Sequence, residues 1–184
     1  MKLNKQIVLA LVIMIATSAL YRVMPGRPYG FAPQIAIALF GGSLFAKQKQ
    51  YAFLLPIVSM FISDLLYQVL FTYNLSPIQG FYGGQLENYI LIAATAVFGF
   101  NLQTGNFTKF VVRFLSAPTA YFLISNASVW AQGGGYSHPF TFTGFMQTMA
   151  DGLPFYPYSV AGTLVFGGVL FGAFRLMVPK FKAI

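Results

Sequence analysis

Six times along this chain the polar residues thin out for about 17 to 25 positions at a stretch, and few folds tolerate that. A helix needs roughly 20 apolar residues to cross about 30 Å of hydrocarbon. The stretches 7–24, 30–46, 51–73, 84–102, 110–131 and 154–178 reach or approach that length. The second and fourth are the weakest, being short or polar at one end. The first resembles a secretory signal, since KLNK precedes it. Its apolar run is longer than a typical signal core, however, and Tyr21-Arg22 rather than a clean cleavage site ends it. It is therefore read as a span.

Composition agrees. Charged residues make up 8% of the 184 positions, against about 25% in an average soluble domain. The expected architecture is all-α, a polytopic membrane protein with a single domain over 1–184 and six transmembrane helices. The absence of cysteine removes disulfides, thiolate metal sites and cysteine nucleophiles. A net charge of +8 would suggest nucleic acid in a soluble protein. Here it reads as the positive-inside bias, and no nucleic-acid partner is expected.

Charge distribution orients the spans. With both termini in the cytoplasm, the inner segments hold Lys2, Lys5, Lys47, Lys49, Lys109, Arg113, Arg175, Lys180 and Lys182. Arg22 and Arg27 alone fall outside, nine against two. The inner connections, 47–50 and 103–109, are short and basic. The outer ones, 25–30, 74–84 and 132–155, are longer and rich in glycine and aromatics. The stretch 132–155 is too apolar for disorder and is expected to be a folded cap, a long structured loop between helices 5 and 6.

Asp64 is one of three acids and stands about 20 Å along the third span. A charge at that depth costs about 2.5–3.5 kcal/mol on insertion scales, so it needs a partner. Arg22 lies at similar depth, Gln68 follows Asp64 by one turn, and Asn126 lies about 24 Å along the fifth span. Three readings of this Arg22, Asp64, Gln68 and Asn126 cluster stay open: an ion pair that locks helices, direct ligand contact, or coupling to protons.

Aromatic residues crowd the outer rim. They fit an interfacial belt or, with the glycines around them, a pocket closed by loops. On the second reading the ligand-binding residues are Arg27, Tyr73, Phe81, Tyr82, Asn126, Trp130, Tyr136, His138 and Phe140. His138 is the one histidine, with no second ligand type beside it, so neither a metal site nor a cofactor is expected. Ser137 and His138 are adjacent in sequence, which does not make a catalytic dyad. GGSLF (41–45) and GGG (133–135) lack the lysine of a phosphate loop. No enzymatic activity is expected. The patterns Ala32-x-x-x-Ala36, Ala38-x-x-x-Gly42 and Gly168-x-x-x-Gly172 allow close helix contact, within the bundle or with a partner.

The series YRVMPGRPYGFAPQIAIALFGGSLF, FLLPIVSMFISDLL, FLISNASVW and GLPFYPYSVAGTLVFGGVLFG resembles a family of small six-helix bacterial membrane proteins of uncharacterised role. The layout is also similar to the substrate-binding S-components of energy-coupling-factor (ECF) vitamin transporters, including solitary cobalamin-type ones. That likeness implies a vitamin-like small molecule, one candidate being a corrinoid, bound near the outer face by the loops after helices 1, 3 and 5. It also implies the bacterial cytoplasmic (inner) membrane, with lipid around the chain and an ECF-type transmembrane and ATPase module, or self-association, as partners. Two departures stand out. The Ala-x-x-x-Ala docking pattern of the first helix is missing, since Met14 follows Ala10 and Leu20 follows Ala16. The cobalt-ligating cysteine is missing too, with His138 as a possible substitute. The competing expectations are an accessory or structural subunit of a larger membrane complex, and an ion-coupled permease built on Asp64.

Overall fold

A computed structural model describes residues 5–100, 102 and 107–177. The predicted termini, with Lys2, Lys180 and Lys182, and residues 103–106 of the second inner connection lie outside them. Among the described residues the secondary structure is helical, with no strand. The order is α1 (Lys5–Val23), α2 (Gln34–Leu44), α3 (Lys49–Thr72), α4 (Gln85–Ala94) with a 3₁₀ turn (Thr95–Gly99), α5 (Phe107–Ala131), α6 (Phe142–Gly152) with a 3₁₀ turn (Leu153–Phe155), and α7 (Tyr156–Met177). The all-α expectation holds. Among the described residues, two helical runs are long and apolar enough to cross a membrane, Lys49–Thr72 and Phe142–Leu176.

A short apolar helix, α2, is the centre of the molecule. Pro33 precedes α2, where its fixed φ suits a helix start, and ten of the eleven α2 residues are buried. Around it pack α3, α7 and the Thr95–Gly99 turn. That turn comes very close. A Cβ on Gly42 would strike the Ala96 backbone, and one on Gly99 would strike the Leu39 carbonyl. Here the Ala38-x-x-x-Gly42 pattern serves contact within the bundle. Gly168 and Gly172, by contrast, face open space.

Two apolar clusters fill the interior. One joins Ile7, Met14, Phe40, Leu44, Leu55 and Phe174, so the start of α1, the end of α2, the start of α3 and the end of α7 share one end of the bundle. Lys5, Lys47, Lys49 and Arg175 belong to these segments, while Arg22 and Arg27 lie at the other end of α1. The second cluster joins Ile35, Leu39, Met60, Ile92 and Phe114. Large apolar side chains also cover the outside, among them Leu9, Val12, Phe61, Val69, Ile124, Val165 and Val169.

Three predicted stretches differ in detail. The 30–46 stretch is helical only from Gln34. The 84–102 stretch breaks after Ala94, where the Gly42–Gly99 contact sets the path. The expected long loop 132–155 is a loop only to Thr141. There the Thr141 side chain accepts a bond from the Gly144 amide and caps α6, as threonine does at helix N-termini.

Candidate functional site

Asp64 is 1% exposed, and both of its carboxylate oxygens accept from donors on other segments. Arg22 Nη1 donates to Oδ1, and also to Ser63 Oγ at 2.5 Å. On the far side Oδ2 accepts from Gln85 Nε2 at 2.6 Å and from Tyr89 Oη at 2.5 Å. The i, i+4 spacing of Gln85 and Tyr89 puts both on one face of α4. A buried charge is tolerable only when paired and fully hydrogen-bonded, and this one ties α1, α3 and α4 together.

Beside it, the end of α1 is closed by its own continuation. Arg27 Nε donates to the Arg22 carbonyl at 2.7 Å, and Tyr67 Oη donates to the same oxygen. Arg27 Nη2 reaches Tyr67 Oη at 3.4 Å. The loop after α3 sits equally close. Gly80 lies where a Cβ would strike the Asp64 carbonyl. Its amide donates to Gln68 Oε1 at 3.2 Å, and its carbonyl accepts from Gln85 Nε2 at 3.0 Å.

Above the ion pair, where the end of α1 and the starts of α2 and α7 meet α4 and α5, lies a cavity of about 400 Å³. That volume falls within the range of small-molecule sites. One wall is polar, with Arg22, Arg27, Gln34, Asn88, Asn126 and Ser159. Another is aromatic, with Tyr121, Phe122, Phe155 and Tyr156, over Ile35, Met60 and Ile92. The aromatic wall is held in place. Tyr121 Oη donates to Asn88 Oδ1 at 2.7 Å, the hydroxyls of Thr119 and Tyr156 stand 2.8 Å apart, and the Phe122 and Tyr156 rings pack at 5.0 Å. Gln34 is 5% exposed, and its side-chain nitrogen has no hydrogen-bond partner among the described residues.

Over residues 1–184 the chain matches a family described as "Family of unknown function (DUF6580)". It belongs to that family. Neither a curated protein nor a solved structure matches it.

Of the predicted residues, this DUF6580 chain brings Arg22 and Asp64 into direct contact, while Gln68 serves the Gly80 loop instead. Asn126 stands across the cavity, its Nδ2 bonded to the Phe122 carbonyl at 2.7 Å. Arg27 also lines the cavity. Tyr82 lines a neighbouring hollow of about 390 Å³ on the Asp64 and Tyr67 side. Phe81 packs on Phe61 at 6.3 Å, and Tyr73 is exposed.

The remaining four form a cap apart from the cavity lining. Trp130 packs against Phe140 and Phe145, both at 5.5 Å, and donates to the Pro139 carbonyl at 3.1 Å. His138 Nε2 meets Asp151 Oδ2 at 2.7 Å, with Tyr136 exposed beside it. Sequence reasoning missed Gln34, Gln85, Tyr89, Tyr121 and Tyr156. Gln34 carried a usable signal, as the one polar side chain in the run from Phe31 to Gly42.

Proposed function

We propose that this chain is a six-pass protein of the bacterial cytoplasmic membrane that binds a vitamin-like small molecule near the outer face, as S-components of ECF transporters do. The cavity between the ends of α1, α2 and α7 is the observation that carries this reading. It lies at the opposite end of the bundle from Lys5, Lys47, Lys49 and Arg175. By the positive-inside bias that is the outer end. Apolar side chains turned outward on α1, α3, α5 and α7 suit lipid contact and would be a liability in water.

In this reading the Arg22–Asp64 pair is the floor of the site. The aromatic wall covers the ligand, and the end of α6 and the turn after it border it through Gly152 and Phe155. About 400 Å³ lies toward the lower end of small-molecule sites, which favours a compact vitamin or precursor over a corrinoid. Release inward requires reorientation of the bundle or an energising partner. The test is mass spectrometry of small molecules released from the purified protein, with thermal unfolding against a panel of vitamins. A retained metabolite or a stabilising vitamin is expected; an empty extract and an unmoved melting temperature across the panel would defeat the reading.

A second reading, an accessory subunit of a larger membrane complex, draws support from Gly168 and Gly172, whose side of α7 faces open space and would admit a close helix. Recovery of a stoichiometric partner that is lost on Gly168→Leu would favour it.

A further inference from the structure

Within the binding reading above, on which this step rests, the unspent hydrogen-bonding groups of the cavity are unequal in kind. Asn88 is committed through Oδ1 to Tyr121 and through Nδ2 to Tyr82. The Asn126 amide nitrogen is used by the Phe122 carbonyl. Arg22 spends Nη1 on Asp64, Ser63 and the Met60 carbonyl. Two donors remain. Gln34 lines the cavity, and its Nε2 is buried behind that lining with no acceptor among the described residues, a state that costs about as much as a lost hydrogen bond. Arg27 has five N–H groups, and its bonds go to two neutral oxygens, the Arg22 carbonyl and Tyr67 Oη.

Charge points the same way. Two arginines and, among the described residues, no acidic residue line the cavity. Asp64 behind Arg22 offsets one of them, which leaves one positive charge in surplus.

We infer that the cavity takes a small organic acid whose single carboxylate sits between the Gln34 side-chain amide, turned to meet it, and the Arg27 guanidinium, with its apolar or aromatic body along Tyr121, Phe122 and Tyr156. A carboxylate is acceptor-only, so it satisfies donors without adding any. Its bonds to a guanidinium are charge-assisted, and one negative charge cancels the surplus. A carboxamide of the same shape adds two donors and leaves the charge standing.

The experiment compares matched pairs on protein in phosphatidylcholine nanodiscs: nicotinate with nicotinamide, biotin with biotinamide, and pantothenate with panthenol. The readout is thermal unfolding with titration. At least one acid is expected to stabilise the protein, and its neutral twin to do so at least tenfold less effectively. Gln34→Leu removes the orphan amide, so the ligand-free variant should melt no lower than the parent while its apparent Kd for the acid rises about tenfold or more. Gln34→Glu, which sets like charge against the acid, should abolish the shift. A neutral twin as effective as its acid would overturn the inference and leave the binding reading intact. No shift from any pair, with no acid in the extract of the purified protein, would overturn the inference, and the binding reading falls with it only when the extract holds no metabolite and the wider vitamin panel is also without effect. If phosphatidylglycerol nanodiscs erase the acid's effect, the anion site belongs to lipid headgroups and the inference fails.

Discussion

Arg22 and Asp64, 42 positions apart in sequence, meet in a buried ion pair that fastens the end of α1 to the middle of α3. Breaking a buried pair from one side leaves an uncompensated charge, which costs about 3–5 kcal/mol. Asp64→Ala is therefore expected to lower the melting temperature sharply and reduce the folded yield. Replacing both partners, Arg22→Leu with Asp64→Leu, should recover much of the loss. A double variant as unstable as the single one would show that the pair does more than fasten helices.

The donors from α4 give a graded version of the same test. Tyr89→Phe and Gln85→Leu each withdraw one hydrogen bond from Asp64 Oδ2. Each is expected to cost about 1–3 kcal/mol, read by denaturant unfolding in mixed micelles. Together they should cost more than the sum of the two, since the carboxylate oxygen then has no donor from α4.

Gly42 and Gly168 make a matched comparison on packing. Gly42→Leu would force the Thr95–Gly99 turn away from α2, and overpacking of this kind costs about 1–3 kcal/mol or more. Gly168→Leu meets nothing among the described residues and should leave the stability within about 0.5 kcal/mol of the parent.

The chain has no cysteine, so single introduced thiols report topology without background. Tyr136→Cys, at an exposed position, should react with a membrane-impermeant maleimide on intact cells. Lys47→Cys should react only after permeabilisation. Equal labelling of both in intact cells would reject the proposed orientation.

The cap makes a milder prediction. His138 and Asp151 are both partly exposed, and such pairs contribute about 0–1 kcal/mol. Asp151→Asn should therefore leave global stability almost unchanged. Amide exchange in residues 132–141 should quicken all the same, because His138 and the Trp130 contacts are what hold that loop to its neighbours.

Part of this was legible in the sequence, for a reason that Asp64 makes plain. An isolated acid in an apolar helix demands a counter-charge, and few cations lie at its depth, so Arg22 followed from burial cost alone. The same logic was silent about Gln85 and Tyr89, because neutral donors need no such compensation and could have faced anywhere. Asn126 and Gln68 matched Asp64 in depth, but depth does not fix the direction in which a side chain points. Helix α6 stayed hidden behind Gly144, Gly152 and three phenylalanines between 140 and 145, a pattern shared by tight loops. The break after Ala94 belongs to a long-range contact between Gly42 and Gly99, which no local pattern records. Gln34 was visible as an odd residue, but its lack of a partner exists only in three dimensions.

The brevity of α2 shapes everything above it. At 11 residues it rises about 16 Å, while α3, with 24, rises about 36 Å. The taller neighbours stand around the stub like the rim of a well, and the empty upper storey is the vestibule. Lengthening the stub by two turns at Pro33 would plug that vestibule with backbone, so its size is set by where one proline lets a helix begin.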